Sequence, residues 1–168
     1  MVNRQSLKIC PITEDRLDAV LSVYHQCEDF LILGPGSPAS MDTVLIDLKT
    51  SQEAGGVFCG IYDSTGAMIG VVDFIPRGFQ GNVQHAFLSL LMMARSFRGV
   101  GIGSEVVKLV EAEILKDNRI HAIFSAVQIN NTEAIRFWLK NGYHIVAGPT
   151  MQADGTATFQ LRKEMRMG

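Results

Sequence analysis

Apolar positions change their spacing several times along the chain, and each change marks a new element. Leu7 to Ile12 reads as a short first strand stopped at Pro11. Thr13 then starts a helix, with Glu14 and Asp15 in the first turn, where acidic side chains suit the positive end of the helix dipole. From Asp15 to about Cys27, Leu17, Val20, Leu21 and Tyr24 recur at helical spacing. Residues 31–40 hold two glycines and two prolines and predict a loop, after which a second helix runs from Met41 to Ser51.

From Gly56 the spacing becomes that of strands. Val57 to Tyr62 and Ala67 to Ile75 flank Asp63-Ser64-Thr65-Gly66 and predict a hairpin. Pro76, Gly78 and Gly81 punctuate the next connection. Gln84 to Met93 is an apolar run long enough to be a central strand covered on both faces. Val106, Val107, Val110 and Ile114 then form one helical stripe, with Glu105, Lys108 and Glu111 off it. Arg119 to Val127 predicts a further buried strand, and Asn131 to Asn141 a helix closed by Gly142. Tyr143 to Gln152 and Thr156 to Met165 make a last hairpin around Ala153-Asp154-Gly155. The order β α α β β β α β α β β predicts a mixed α/β or α+β domain, with parallel pairing in its second half.

Composition narrows the class. The 168 residues, 18.4 kDa, suit a single domain over 1–168. With 47% hydrophobic and 19% charged residues the chain can build a packed core. Lys and Arg number 15 against 17 Asp and Glu, so there is no net basic field to hold nucleic acid. No apolar run reaches the roughly 18 residues of a membrane span, and the first residues lack the apolar stretch of a secretory signal. Cys10, Cys27 and Cys59 are odd in number and far apart, which suggests neither a disulfide framework nor a thiolate zinc site. His25, His121 and His144 show no metal-ligand spacing, so no metal is assigned. The expectation is a soluble, cytoplasmic protein without a membrane or nucleic-acid partner.

The chemistry concentrates in Arg98-Gly99-Val100-Gly101-Ile102-Gly103, between the central strand and an amphipathic helix. Glycines let the backbone approach a ligand, and the helix N-terminus that follows favours phosphate. A tight turn whose glycines serve packing is the other reading. The segment lacks the G-K-[ST] ending of a P-loop, and its G-x-G-x-G spacing departs from the dinucleotide fingerprint. R-x-x-G-x-G in this context instead resembles the acyl-CoA signature of the GNAT superfamily of N-acyltransferases. Asn131-Thr132-Glu133-Ala134, followed by Phe137-Trp138-Leu139-Lys140-Asn141-Gly142-Tyr143, is similar to a second segment of that family.

The resemblance implies a mostly antiparallel seven-stranded sheet with a parallel central pair, flanked by about four helices. It implies acetyl-CoA as cosubstrate and an amine of a small molecule as acceptor, attacked directly at the thioester. Backbone amides of Arg98, Gly99, Val100, Gly101, Ile102 and Gly103 would cradle the pyrophosphate, with the Arg98 charge beside it. Met93 would offer backbone groups to the pantetheine arm and thioester oxygen, in a slot where the central strand splays from its parallel neighbour. Asn131 would bond the pantetheine, cap its helix, or do both, with Asn130 as its rival. Trp138 stands where many members carry a tyrosine that protonates the leaving thiolate. An indole N–H cannot be that acid, so core packing is the role expected of Trp138, as of Tyr143.

An amine of pKa about 10.4 is neutral in only about one molecule in a few thousand at pH 7, so a base would help. A hairpin centred near Phe79 would set Asp73 across from His85, a carboxylate orienting an imidazole; the other reading is a solvated pair at the sheet edge. Glu28 and Asp29, at the end of the first helix, would recognise a cationic amine or merely be solvated. Two further functions stay open: a module of the same fold that senses acyl-CoA without turnover, and a nucleotide-binding domain sharing the glycine turn alone. The protein is expected as a monomer or a homodimer, in which the Thr158–Leu161 strand would pair across subunits.

Overall fold

The computed structural model describes residues 6–33 and 38–165, so the centre of the expected 31–40 loop lies outside the described residues. Seven strands form one sheet: β1 (Lys8–Pro11), β2 (Val57–Tyr62), β3 (Met68–Ile75), β4 (His85–Met93), β5 (Ala122–Gln128), β6 (His144–Met151) and β7 (Ala157–Glu164). Their spatial order is β1-β2-β3-β4-β5-β7-β6. The β4–β5 pair is parallel and the others are antiparallel. The helices are α1 (Leu17–Gln26), the single-turn α2 (Glu28–Leu31), α3 (Met41–Glu53), α4 (Ile102–Ile114) and α5 (Thr132–Lys140). None of them is long and apolar enough to cross a membrane.

Two cores explain why β4 reads as apolar without alternation. On one face Ala86, Leu88 and Met93 pack with Val106, Val107 and Val110 of α4 and Trp138 of α5. On the other, Met92 packs with Val20 and Val23 of α1, Val44 of α3 and Val71 of β3. Full burial of a large apolar side chain contributes roughly 1.5–3 kcal/mol, so the central strand is anchored from both faces.

Local hydrogen bonding moves several expected boundaries. Residues 14–16 form a 3₁₀ turn after Thr13, and α1 starts at Leu17. Ser40 caps α3 by accepting from the Thr43 amide at 3.2 Å. Asp117 accepts from the Arg119 amide and guanidinium, and this turn holds Arg119 out of β5, which starts at Ala122. Glu111, expected off the buried stripe of α4, is 6% exposed because Tyr143 and Lys163 supply its partners.

Two expected pairings are overturned. Ile75 pairs with Phe87 and Asp73 with Leu90, so Asp73 does not face His85. The connection is wider than a turn centred on Phe79. Gly78, Gln80 and Gly81 all take positive φ, the Phe79 ring stacks on Phe87 at 4.3 Å, and a bulge follows Asp73. The Thr158–Leu161 segment is not an edge either: β7 lies between β5 and β6, and both its sides are paired within the chain.

Candidate functional site

Parallel pairing of β4 with β5 runs from His85–Ala122 to Leu88–Ser125 and stops there. The Ser125 hydroxyl donates to the Leu88 carbonyl at 2.8 Å, at the last rung. Beyond it β4 continues to Met93 and β5 to Gln128, and a cleft of about 760 Å3 opens between them, bounded also by α2, the glycine-rich turn and α5. Ala94 donates its amide to Ile69 on β3 at 2.8 Å. Backbone groups alternate along a strand, so Met93 points its amide and carbonyl to the opposite edge, at the slot.

The Met93 carbonyl is already engaged: it accepts from Arg98 Nε at 2.9 Å and from Cys27 Sγ at 3.4 Å. Arg98 does not direct its charge at the glycine turn as expected. Its Nη1 and Nη2 grip Asp29 at 2.6 and 3.2 Å, and Nη2 also donates to the Gln26 carbonyl at 3.4 Å. The guanidinium therefore ties the end of β4 to α1 and α2, and it holds the Asp29 carboxyl below the ordinary aspartate value. Burial pushes the Cys27 thiol up, which keeps it a neutral donor.

Gly99 and Gly101 take φ of 75° and 84°, a left-handed conformation that costs a side-chain-bearing residue roughly 1–2 kcal/mol. Gly101 is also the N-cap of α4, whose first amides lack intrahelical acceptors by construction. Gly103 serves packing: a Cβ there would stand 3.2 Å from the Phe137 ring. Asn131 caps α5 by accepting from the Ala134 amide at 3.1 Å, which leaves its NH2 as the group it can offer a ligand. Asn130 reaches the Leu33 carbonyl at 3.4 Å across the cleft. Trp138 is buried, edge-on to Tyr143, and borders the cleft from the core side.

The expected base candidates stand apart. His85 begins β4, about 26 Å along the strand from Met93, and packs on the Phe124 ring. Its surroundings desolvate it and lower its pKa. Asp73 is buried behind Ser89, which lines the cleft and donates its hydroxyl to the Asp73 carbonyl at 2.9 Å. Ser51 donates to the Asp73 carboxylate at 2.6 Å, and burial raises that carboxyl above the ordinary value. Glu28 pairs with His25 outside the cleft, whereas Asp29 lies in its wall. Sequence reasoning missed Ser89, Ser125, Cys27 and Gln128. Ser89 and Ser125 carry a signal, each a polar residue inside an apolar strand; Cys27 and Gln128 carry none.

A sequence model described as the Acetyltransferase (GNAT) family matches residues 18–143. No curated protein matches the sequence. Among solved structures, an acetyltransferase from Thermus thermophilus superposes with a TM-score of 0.80 at 18% identity, covering 95% of this chain and 97% of that one. Spermidine N-acetyltransferase from Vibrio cholerae, in complex with CoA and spermine, gives 0.74 at 12% identity over 95% and 96% of the two chains. AAC(6')-Ib, in complex with ribostamycin and coenzyme A, gives 0.75 at 16% identity over 95% and 93%. Identities this low speak for a shared fold.

Proposed function

The chain belongs to the acetyltransferase (GNAT) family, and we propose that it transfers an acetyl group from acetyl-CoA to a primary amine of a small molecule. The parting of β4 and β5 beyond Leu88 and Ser125, with the glycine turn and α4 N-terminus at its mouth, carries this reading. The residues present fit the cosubstrate: Gly99 and Gly101 keep Cβ atoms out of a turn that presents amides to anions. Bound acetyl-CoA supplies a thioester with a stable thiol leaving group.

The backbone from Arg98 to Gly103 holds the pyrophosphate, and the Asn131 NH2 bonds the pantetheine arm. The Met93 amide donates to the thioester oxygen, on which negative charge grows as the amine attacks. The amine forms its C–N bond as the C–S bond breaks. It loses one proton, and CoA departs as the thiol, so protons balance. We assign the amine proton to the Asp73 carboxylate, which lies behind Ser89 in the cleft wall, and no catalytic role to His85, which does not line the cleft. With Trp138 in the tyrosine position, water protonates the thiolate. A thiol of pKa about 8.5 makes that step cost roughly 2 kcal/mol at neutral pH. Trp138 also favours a second reading, a non-catalytic acyl-CoA sensor, which CoA release with any amine would remove.

Calorimetry and thermal shift with acetyl-CoA, CoA, NAD and ATP test the cosubstrate without an acceptor. The expected result is selective binding of acetyl-CoA and CoA, lost in Gly101→Val, whose β-branched side chain opposes the positive φ. Preference for NAD or ATP would overturn the assignment.

A further inference from the structure

Ile123 and Val127 of β5 pack into the core beneath α4 and α5. Strand alternation therefore turns Phe124, Ala126 and Gln128 to the opposite face of the sheet, the face that α1 and α3 cover. Thr158 pairs directly with Gln128 and shares that face. The glycine turn and α5 serve the cosubstrate from one side, so Gln128 belongs to the acceptor side of the same cleft.

That side is short of negative charge. Among the described residues lining the cleft, Asp29 and Glu133 are the carboxylates. Asp29 is neutralised by Arg98, with Arg95 a further 3.8 Å away. Glu133 lies exposed in the first turn of α5. From Phe30 to Met41 the sequence has no ionisable side chain. A polycation would leave most of its charges without partners here.

Apolar surface takes the place of charge. Phe30, Leu33 and Leu90 line the wall. Ile32, which adjoins Leu33, is a further large apolar side chain at this end, 67% exposed. Gln128 lines the same cleft, and its Oε1 is buried with no hydrogen-bond partner among the described residues. A buried acceptor without a donor is costly, and an incoming N–H satisfies it.

Resting on the acetyl-transfer reading, we infer that the acceptor is a primary monoamine on an uncharged apolar body, aromatic or branched alkyl, and that Gln128 orients its nitrogen. The acceptors named for the two CoA-bound relatives, spermine and ribostamycin, would then be poor substrates of this protein.

The test measures thiol release from acetyl-CoA with 2-phenylethylamine, 3-methylbutylamine, spermidine and ribostamycin, beside calorimetry of acetyl-CoA alone. The apolar monoamines should exceed the polycations in kcat/KM by about tenfold or more. Gln128→Met, which keeps the length and removes the acceptor oxygen, should raise the amine KM about tenfold and leave the acetyl-CoA KM unchanged. Gln128→Glu, which restores an acceptor oxygen and adds a negative charge, should lower that KM again and narrow the gap between the monoamines and spermidine; a KM as high as that of Gln128→Met would overturn the inference. Preference for spermidine or ribostamycin would overturn the inference and leave acetyl transfer standing. A Gln128→Met effect on acetyl-CoA alone would also overturn it, by assigning Gln128 to the pantetheine. Acetyl-CoA binding without turnover of any amine would overturn it in favour of the sensor, and absence of acetyl-CoA binding would remove the underlying reading as well.

Discussion

Asp73 keeps a carboxyl group in the wall between α3 and β4, facing Ser51 and Ser89, with the Asp47 charge nearby. Burial favours its neutral form, so its folded pKa lies above the ordinary one and the base form appears as pH rises through that value. The acetylation rate should therefore climb with pH across that range. Asp73→Asn should lower kcat at least tenfold and abolish that limb, with acetyl-CoA affinity unchanged; a loss with the same pH profile would contradict the assignment. Stability runs the other way. Between the ordinary and the raised value the folded state binds more protons than the unfolded one, so stability falls as pH rises there, and the asparagine removes that slope. The identity of this residue as a candidate was legible in the sequence, but its partner was not. Pairing with His85 assumed a tight turn, and three positive-φ residues in the connection shifted the register. Arg98 shows the same limit: its charge was legible, but its grip on Asp29 spans 69 positions of sequence.

At the scale of elements, periodicity was enough to find α4 and α5, because each buries a face whose spacing matches its geometry, and β4 was legible from its long apolar run. It failed for Glu111, a charged residue that α4 turns inward. Tyr143 donates to Glu111 at 2.9 Å, and Lys163 of β7 reaches both its oxygens at 3.0 Å. This three-sided contact joins α4 to β7 and to the residue just before β6, and burial beside Glu111 keeps the phenol protonated. Tyr143→Phe removes one charge-assisted bond and should cost about 1.5–3 kcal/mol of unfolding free energy, measured by urea denaturation. Because the contact lies away from the cleft, acetyl-CoA affinity should not change in the folded variant; a parallel loss of affinity would place Tyr143 in the site instead.

For the whole molecule, the proposed function divides the labour across the sheet: one face and the glycine turn would address the cosubstrate, the other face and α2 the acceptor, across the gap between β4 and β5. The two motifs made the family readable from sequence, and with it the residues proposed for the cosubstrate half. The acceptor half was not, because it is assembled from single side chains on α2, β4, β5 and β7 with no common spacing. The most direct measurement is amine-dependent release of CoA thiol from acetyl-CoA, with the product identified by mass spectrometry. Stoichiometric thiol and acetamide should form, rise with amine concentration and vanish in Gly101→Val. Acetyl-CoA bound tightly, with no acetamide formed from any amine, would contradict the proposed transfer.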